Sequence, residues 1–297
     1  MRGVVIALGT FDGVHLGHQV VIRRAVEEGR KRGLRVGAVT FDPHPQAVLR
    51  PGSELKLLTT LEVREEILLA CGVDEVHVMR FDENLSKKTP EEFVREVLVG
   101  KFKAAVVVVG ENFRFGHKAS GNIEDLRRHM RETGGEAYAV PIYACLGESI
   151  NSTKIRALVA GGEVREAARL LGRPYSLRGK VVVGDKRGRV IGFPTANVLL
   201  DACSLVPGRG VYVGHVWAEA ERYGACTNVG VAPTFDQRDS RVEAHLLDYQ
   251  GDLYGRVVEV TFIERLRPEK RFFGADELKE QIARDIVEAR KILREDA

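Results

Sequence analysis

Gly9-Thr10-Phe11-Asp12-Gly13-Val14-His15-Leu16-Gly17-His18 stands between a short apolar run, Val4–Leu8, and a segment with helical spacing. A strand that turns abruptly into a helix is a natural anion site, because the first helical turn aims unpaired amide N–H groups and the positive end of its dipole at the turn. Gly9, Gly13 and Gly17 let the backbone turn tightly and approach a ligand. His15 and His18 are three apart, share a face of the first turn, and can both reach one phosphate chain. On these residues alone, a capping pair or half of a metal site are equally open readings.

Outward from this turn, residues 19–32 read as an amphipathic helix with Val20, Val21, Ala25 and Val26 inward, ending at Gly33, and residues 34–41 as a second strand. Strands expected over 75–80, 104–110 and 136–142 alternate with helices over 61–71, 90–99 and 123–133. Thr89-Pro90-Glu91-Glu92 is a helix start, with a capping hydroxyl, a first-turn proline and acids against the dipole. The run Val106 to Val109 suits a parallel strand buried on both faces. The expectation is an α/β fold, a doubly wound parallel sheet whose ligands bind at the carboxyl ends of its strands.

Three more loops follow strands. Phe41-Asp42-Pro43-His44-Pro45 is stiffened by two prolines, and a rigid turn is its plain reading. In Gly110-Glu111-Asn112-Phe113-Arg114-Phe115-Gly116 the two aromatics are either core plugs or a platform for a flat ring. Ile150-Asn151-Ser152-Thr153-Lys154-Ile155-Arg156 opens a helix with basic residues at its positive end, which a bound anion would explain.

Beyond Leu171-Gly172-Arg173-Pro174 the pattern changes to short alternating strands, expected over 180–183, 210–217, 241–249 and 256–262, and a final helix over 273–293 with Leu278, Ile282, Ile286 and Ile292 on one face. This is the pattern of a small antiparallel β-barrel with a C-terminal helix, and the domains are expected at 1–172 and 173–297. Within the second, Gly184-Asp185-Lys186-Arg187-Gly188-Arg189-Val190-Ile191-Gly192-Phe193-Pro194-Thr195-Ala196-Asn197 carries three glycines and three basic side chains but is not a Gly-x-x-x-x-Gly-Lys-Ser/Thr loop. The neutral oxygens of Thr195 and Asn197 suit a magnesium ion completed by substrate phosphates; a basic hairpin ending in a proline turn is the plain alternative. Val242-Glu243-Ala244-His245 alternates as a strand and puts Glu243 and His245 on one face.

With 297 residues, 44% hydrophobic and 29% charged, the chain has the size and composition of two globular domains, and a formal net charge of +3 implies no broad polyanion-binding surface. The scattered Cys71, Cys145, Cys203 and Cys226 fit neither structural zinc nor a disulfide framework and are expected to be buried small hydrophobes. No signal peptide or membrane-spanning run is visible, so a cytoplasmic protein with neither nucleic acid nor membrane as partner is expected. Its oligomeric state is left open.

The opening decapeptide resembles the signature of the nucleotidyltransferase superfamily, in its flavin-adenylating branch. With the three further loops it is similar to the prokaryotic FAD synthetase family over residues 1–172. The Arg187-Gly188-Arg189 to Phe193-Pro194-Thr195-Ala196-Asn197 stretch resembles the riboflavin kinase signature, supported by Asn228-Val229-Gly230-Val231-Ala232-Pro233-Thr234-Phe235. The resemblance implies a bifunctional transferase that phosphorylates riboflavin to FMN and adenylates FMN to FAD, with ATP, riboflavin and FMN as substrates and Mg2+ as cofactor. It implies His15 and His18 as catalytic in adenylyl transfer, with ATP on Gly9, Phe11, Asp12, His15, Gly17, His18, Asn112, Ser152, Thr153 and Arg156. Flavin contacts are implied for Phe41, Pro43, His44, Asn112, Phe113 and Phe115. In the kinase it implies ATP on Gly184, Lys186, Arg189, Gly192, Pro194, Thr195 and Asn197, the metal on Thr195 and Asn197, and Glu243 as catalytic base. Asn151 stands where the family commonly has serine, and Ala232 where a basic residue is frequent. A transferase for another phosphate ester with a mere binding barrel, and a non-catalytic nucleic-acid-binding protein, are the competing expectations.

Overall fold

A computed structural model describes residues 3–141, 144–145, 148–184, 192–219, 221–231 and 240–295. The chain divides into two compact units, Met1–Ser152 and Thr153–Ala297.

In the first unit β1 (Val4–Leu8), α1 (Leu16–Arg32), β2 (Val36–Asp42), α2 (Pro45–Leu49), α3 (Leu61–Ala70), β3 (Glu75–Arg80), α4 (Glu83–Ser86) and α5 (Pro90–Glu92) follow in order. A π-helical stretch, Phe93–Lys101, continues α5 into β4 (Ala104–Gly110), α6 (Ile123–Glu132) and β5 (Glu136–Val140), and a small ladder joins β6 (Ala144–Cys145) to β7 (Glu148–Ser149). The five main strands form a parallel sheet in the order β3-β2-β1-β4-β5. Val5, Ala7, Val106 and Val108 bury one face against Ile22 and Ala25 of α1 and Leu68 of α3. Ile6, Leu8, Val107 and Val109 bury the other against Phe93 to Leu98 and against Leu126 and Met130 of α6. Helices on both faces make the sheet doubly wound, as the unbroken valine run requires. Thr89 caps the start of α5, as its sequence predicts, and Glu92 reaches back to complete a capping box.

In the second unit α7 (Ser152–Gly161), which starts one residue earlier, and α8 (Val164–Leu171) precede β8 (Tyr175–Val182), β9 (Ala196–Leu200), β10 (Gly210–Ala218), β11 (Glu221–Val231), β12 (Ser240–Leu246), β13 (Val257–Phe262), β14 (Glu264–Arg267) and α9 (Ala275–Glu295). The order β11-β12-β9-β8-β13-β10 closes through a further β10–β11 pairing into an antiparallel barrel, and β14 adds to β10. Val181, Val198, Val242, Ala244 and Val260 are buried, whereas Arg241, Glu243 and His245 alternate with the inward residues of β12 and stand on its outer face. Of the expected face of α9, Ile286 and Ile292 join a cluster with Val213 and Cys226, together with Leu293, which the periodicity did not single out. The helix also buries Asp285, which Arg267 grips bidentately through Nε and Nη2 at 2.8–3.1 Å.

Elements longer or additional to the sequence expectation have local causes. α1 starts at Leu16 because His15 caps it. β11 was not expected; Gly224, Gly230 and its polar residues hide its alternation. Of the described cysteines only Cys226 is fully buried, and burial, with Asp285 nearby, pushes its thiol up to about 12; Cys71 and Cys203 are half-buried. Among the described residues no helix is long and apolar enough to cross a membrane.

Candidate functional sites in the two units

The glycine-histidine turn leaves β1 at the carboxyl edge of the sheet. Phe11, Gly13 and Val14 all have positive φ, at 50°, 81° and 39°. Only glycine takes this conformation without strain, and it is least tolerable for a β-branched residue. The turn is held in it by many bonds: Val14 N donates to Phe11 O, Gly13 N to Thr59 Oγ1, and Gln19 Nε2 to Val14 O. Asp12 is fully buried, and its Oδ1 accepts from the amides of Leu58 and Thr59 at 2.9 and 3.2 Å. Its backbone carbonyl accepts from Ser152 Oγ at 3.0 Å. Phe11 is 1% exposed, and its ring edge meets His18 at 5.4 Å.

His15 is the N-cap of α1, its Nδ1 accepting from His18 N at 3.3 Å. The neutral ring therefore carries its proton on Nε2 and offers a donor there. The two imidazoles stack at 3.6 Å with 19° between planes. So close a stack fits beside the backbone because position 17 is glycine, where a Cβ would lie 3.1 Å from His15 Cε1. His18 Nδ1 is buried with no hydrogen-bond partner among the described residues. Burial first, then the neighbouring His15 and Arg64, holds the His18 pKa well below the ordinary histidine range, so the ring is neutral at pH 7.

Arg64 was not anticipated from the sequence, because at the first turn of α3 it reads as a solvent-facing helix cation. It is 1% exposed, and Nη1 donates to Thr10 O, Thr40 Oγ1 and Phe41 O while Nη2 donates to Thr59 O. One guanidinium thus ties together the turn after β1, the end of β2 and the loop before α3.

The remaining predicted residues of this unit fall into distinct settings. Phe41 and Phe115 are buried in one core layer, Phe41 edge-on to Phe81 at 5.7 Å. Phe113, half-buried, stacks on Phe115 at 5.6 Å. Pro43, joined to Asp42 by a cis peptide, and Asn112 are exposed, and half-buried His44 caps α2 through Nδ1. Gly9 is half-buried against the Phe11 ring. Thr153 and Arg156 lie in the first turns of α7, exposed and half-buried respectively.

In the barrel, Glu243 on β12 pairs with Asn197 on β9 and with Asn228 on β11, so three polar side chains form one row across the outer face. Arg241 spans it: Nε lies 2.7 Å from Asn197 Oδ1 and 2.5 Å from Glu243 Oε1. His245 Nδ1 lies 2.7 Å from Pro194 O, and since a carbonyl only accepts, Nδ1 carries the proton. This bond and an edge contact between His245 and Phe193 at 5.7 Å fix the Pro194-Thr195 turn beside Glu243. Gly184 backs onto the same site, because a Cβ there would lie 2.3 Å from Asn197 Nδ2. Pro194, Thr195, Ala196 and Asn197 line a cavity of about 460 Å³ together with Val181, Leu246 and Tyr249 to Tyr254. Gly192 is exposed, and Lys186 and Arg189, with Ala232 to Phe235, lie outside the described residues. Arg241 and Asn228 were missed as site residues, since only the strand register brings them beside Glu243.

A doubly wound sheet with a histidine-bearing turn at its carboxyl edge, joined to a barrel with a carboxylate beside a cavity, defines a two-domain transferase. Residues 1–154 match the FAD synthetase family model and residues 171–293 the riboflavin kinase model. The chain is 38% identical over 288 residues to a bifunctional riboflavin kinase/FMN adenylyltransferase of Listeria monocytogenes, covering 96% of this chain and 91% of that one. It is also 38% identical over 291 residues to the Escherichia coli K12 protein of the same name, covering 98% and 93%. A crystal structure from Streptococcus pneumoniae, described as a macrolide-efflux protein, matches with a TM-score of 0.91 at 34% identity, over 97% of this chain and 94% of that one. The chain belongs to the bifunctional riboflavin kinase/FMN adenylyltransferase family, with adenylyl transfer in its N-terminal part and riboflavin phosphorylation in its C-terminal part.

Proposed function

We propose the following division of labour, with adenylyl transfer assigned to residues 1–172 and phosphorylation to 173–297. The observation that carries it is the row Asn228–Glu243–Asn197, whose Asn197 also lines the barrel cavity, a second polar site in the same chain as the stacked histidines.

In the kinase, Glu243 accepts the proton of the riboflavin 5′-hydroxyl as its oxygen bonds to the γ-phosphorus of ATP, and ADP leaves. A carboxylate is a weak base for an alcohol, but the loose transition state of phosphoryl transfer lets the proton leave late, so that positioning does most of the work. The cavity beside Pro194 and Thr195 takes the nucleotide, with Gly184, Lys186, Arg189 and Gly192 on its phosphates. Among the described residues no group of three or more His, Cys, Asp or Glu could hold a metal. The neutral oxygens of Thr195 and Asn197 would suit an Mg2+ that arrives with the nucleotide and neutralises charge on its phosphates.

In the adenylyltransferase, an FMN phosphate oxygen attacks the α-phosphorus of ATP and pyrophosphate departs, with no covalent enzyme intermediate. His15 Nε2–H and the His18 ring face the triphosphate; its negative charge offsets the desolvation that keeps His18 neutral and draws a proton onto it. Ser152, Thr153 and Arg156 hold the departing pyrophosphate. Asp12, Gly9 and Gly17 shape the turn. Pro43, His44, Asn112 and the Phe113–Phe115 stack receive the flavin, with Phe41 behind them. Small molecules are the partners, and the cytosol, where ATP is abundant, is the place of action.

Incubation with riboflavin, ATP and Mg2+, with the flavins separated over time, tests this reading. FMN should appear first and FAD after it; riboflavin left unchanged while added FMN becomes FAD would remove the kinase assignment.

A further inference from the structure

We infer that Arg241 is a positioning residue of the kinase site that competes with the metal for Asn197. This rests on the assignment of Asn197 as a metal ligand above. Arg241 Nε has one hydrogen, and it lies between Asn197 Oδ1 at 2.7 Å and Glu243 Oε1 at 2.5 Å. Asn197 is 8% exposed, its whole amide group packs against Gly184, and its oxygen accepts from Arg241 on β12. A guanidinium bonded to that oxygen takes one of its two lone pairs and sets a positive charge beside any cation that binds the other, and the two charges repel.

Arg241 on Asn197 therefore weakens loading of metal with nucleotide, and loading favours the arrangement in which Arg241 has left Asn197. The antiparallel register keeps Glu243 directly opposite Asn197, so Arg241 remains on the Glu243 carboxylate with a small rotation and holds it toward the acceptor hydroxyl. In the empty site Arg241 keeps the buried amide oxygen satisfied and the carboxylate paired, which removes the cost of leaving either alone. In the loaded site it orients the base. Arg241 and Glu243 are each about a quarter exposed, so the side chain has room to move.

The test is a titration of the full-length protein with Mn2+ in the presence of ADP, followed by electron paramagnetic resonance, with FMN formation measured in parallel. The binding step abolished by Asn197→Ala is that of the kinase site; the other unit contributes equally to every variant. In Arg241→Met the Mn2+ concentration that half-saturates this step should fall about tenfold, the worth of one charge-assisted hydrogen bond. In the same variant kcat for FMN formation should fall, because Glu243 loses its guide. Arg241→Gln, which keeps a donor without the charge, should show a smaller fall in half-saturation, and circular dichroism verifies that both variants are folded. An unchanged or raised half-saturation in both folded variants overturns the inference. If Asn197→Ala abolishes no step, the metal assignment itself fails and takes the inference with it.

Discussion

Glu243 lies directly opposite Asn197 in the β12–β9 ladder, and Arg241 bridges the carboxylate to the amide oxygen. The proposed proton acceptor and the proposed metal ligand are thus one strand spacing apart. Replacing Glu243 by Gln should lower the rate of FMN formation by about 10²–10⁴, the usual worth of a positioned general base, and leave conversion of added FMN to FAD unchanged. Steady-state kinetics of the two half-reactions measures both.

Gly184 abuts Asn197 so closely that a Cβ would sit 2.3–2.6 Å from its amide atoms. Gly184→Ala should displace the amide and abolish most riboflavin phosphorylation without affecting adenylyl transfer. The reverse is expected of Gly17→Ala, whose Cβ meets the His15 ring at 3.1–3.2 Å and should disrupt the N-cap of α1, costing about 1 kcal/mol of stability along with adenylyl transfer. Thermal melts alongside both assays separate the two effects.

His18 is held neutral by burial, by His15 and by Arg64. The triphosphate favours its protonated form, so ATP binding should take up protons near pH 7 and tighten as pH falls. Calorimetry in two buffers of different ionisation enthalpy gives the uptake directly, and His18→Asn should remove it.

The same depressed pKa has a consequence for stability. Below the unfolded value of about 6.5 the unfolded chain binds a proton that folded His18 refuses, so folding loses stability as pH drops through that window and regains it as pH rises. His18→Asn should flatten the fall in melting temperature as pH drops below about 6.5.

Asp285 is 6% exposed and receives Arg267 bidentately. Asp285→Ala leaves a guanidinium without its carboxylate where α9 meets the barrel, and should cost about 3–5 kcal/mol. Chemical denaturation measures this, with the unfolding of the second unit moved to lower denaturant.

Much of this was legible in the sequence. The valine run of β4 announced a strand buried on both faces, and Thr89-Pro90 announced a capped helix, because both signals are local. The alternation of Glu243 with Val242 and Ala244 gave the correct face of β12. Arg64 and Asp285 were illegible, because each looks like an ordinary helix charge until tertiary packing encloses it. Arg241 and Asn228 became visible only through strand register, which aligns residues distant in sequence. Asp12 shows the converse: its place in the motif draws attention to ligands, whereas its carboxylate is occupied by the amides of Leu58 and Thr59.

The central claim is that one chain carries two separate active sites, and the most direct test is a time course of flavin species with His18→Ala and Glu243→Ala beside the unaltered protein. With riboflavin, ATP and Mg2+, His18→Ala should accumulate FMN and form no FAD, while Glu243→Ala should leave riboflavin untouched yet convert added FMN to FAD. Loss of both reactions in either folded variant, or of neither, would contradict the assignment.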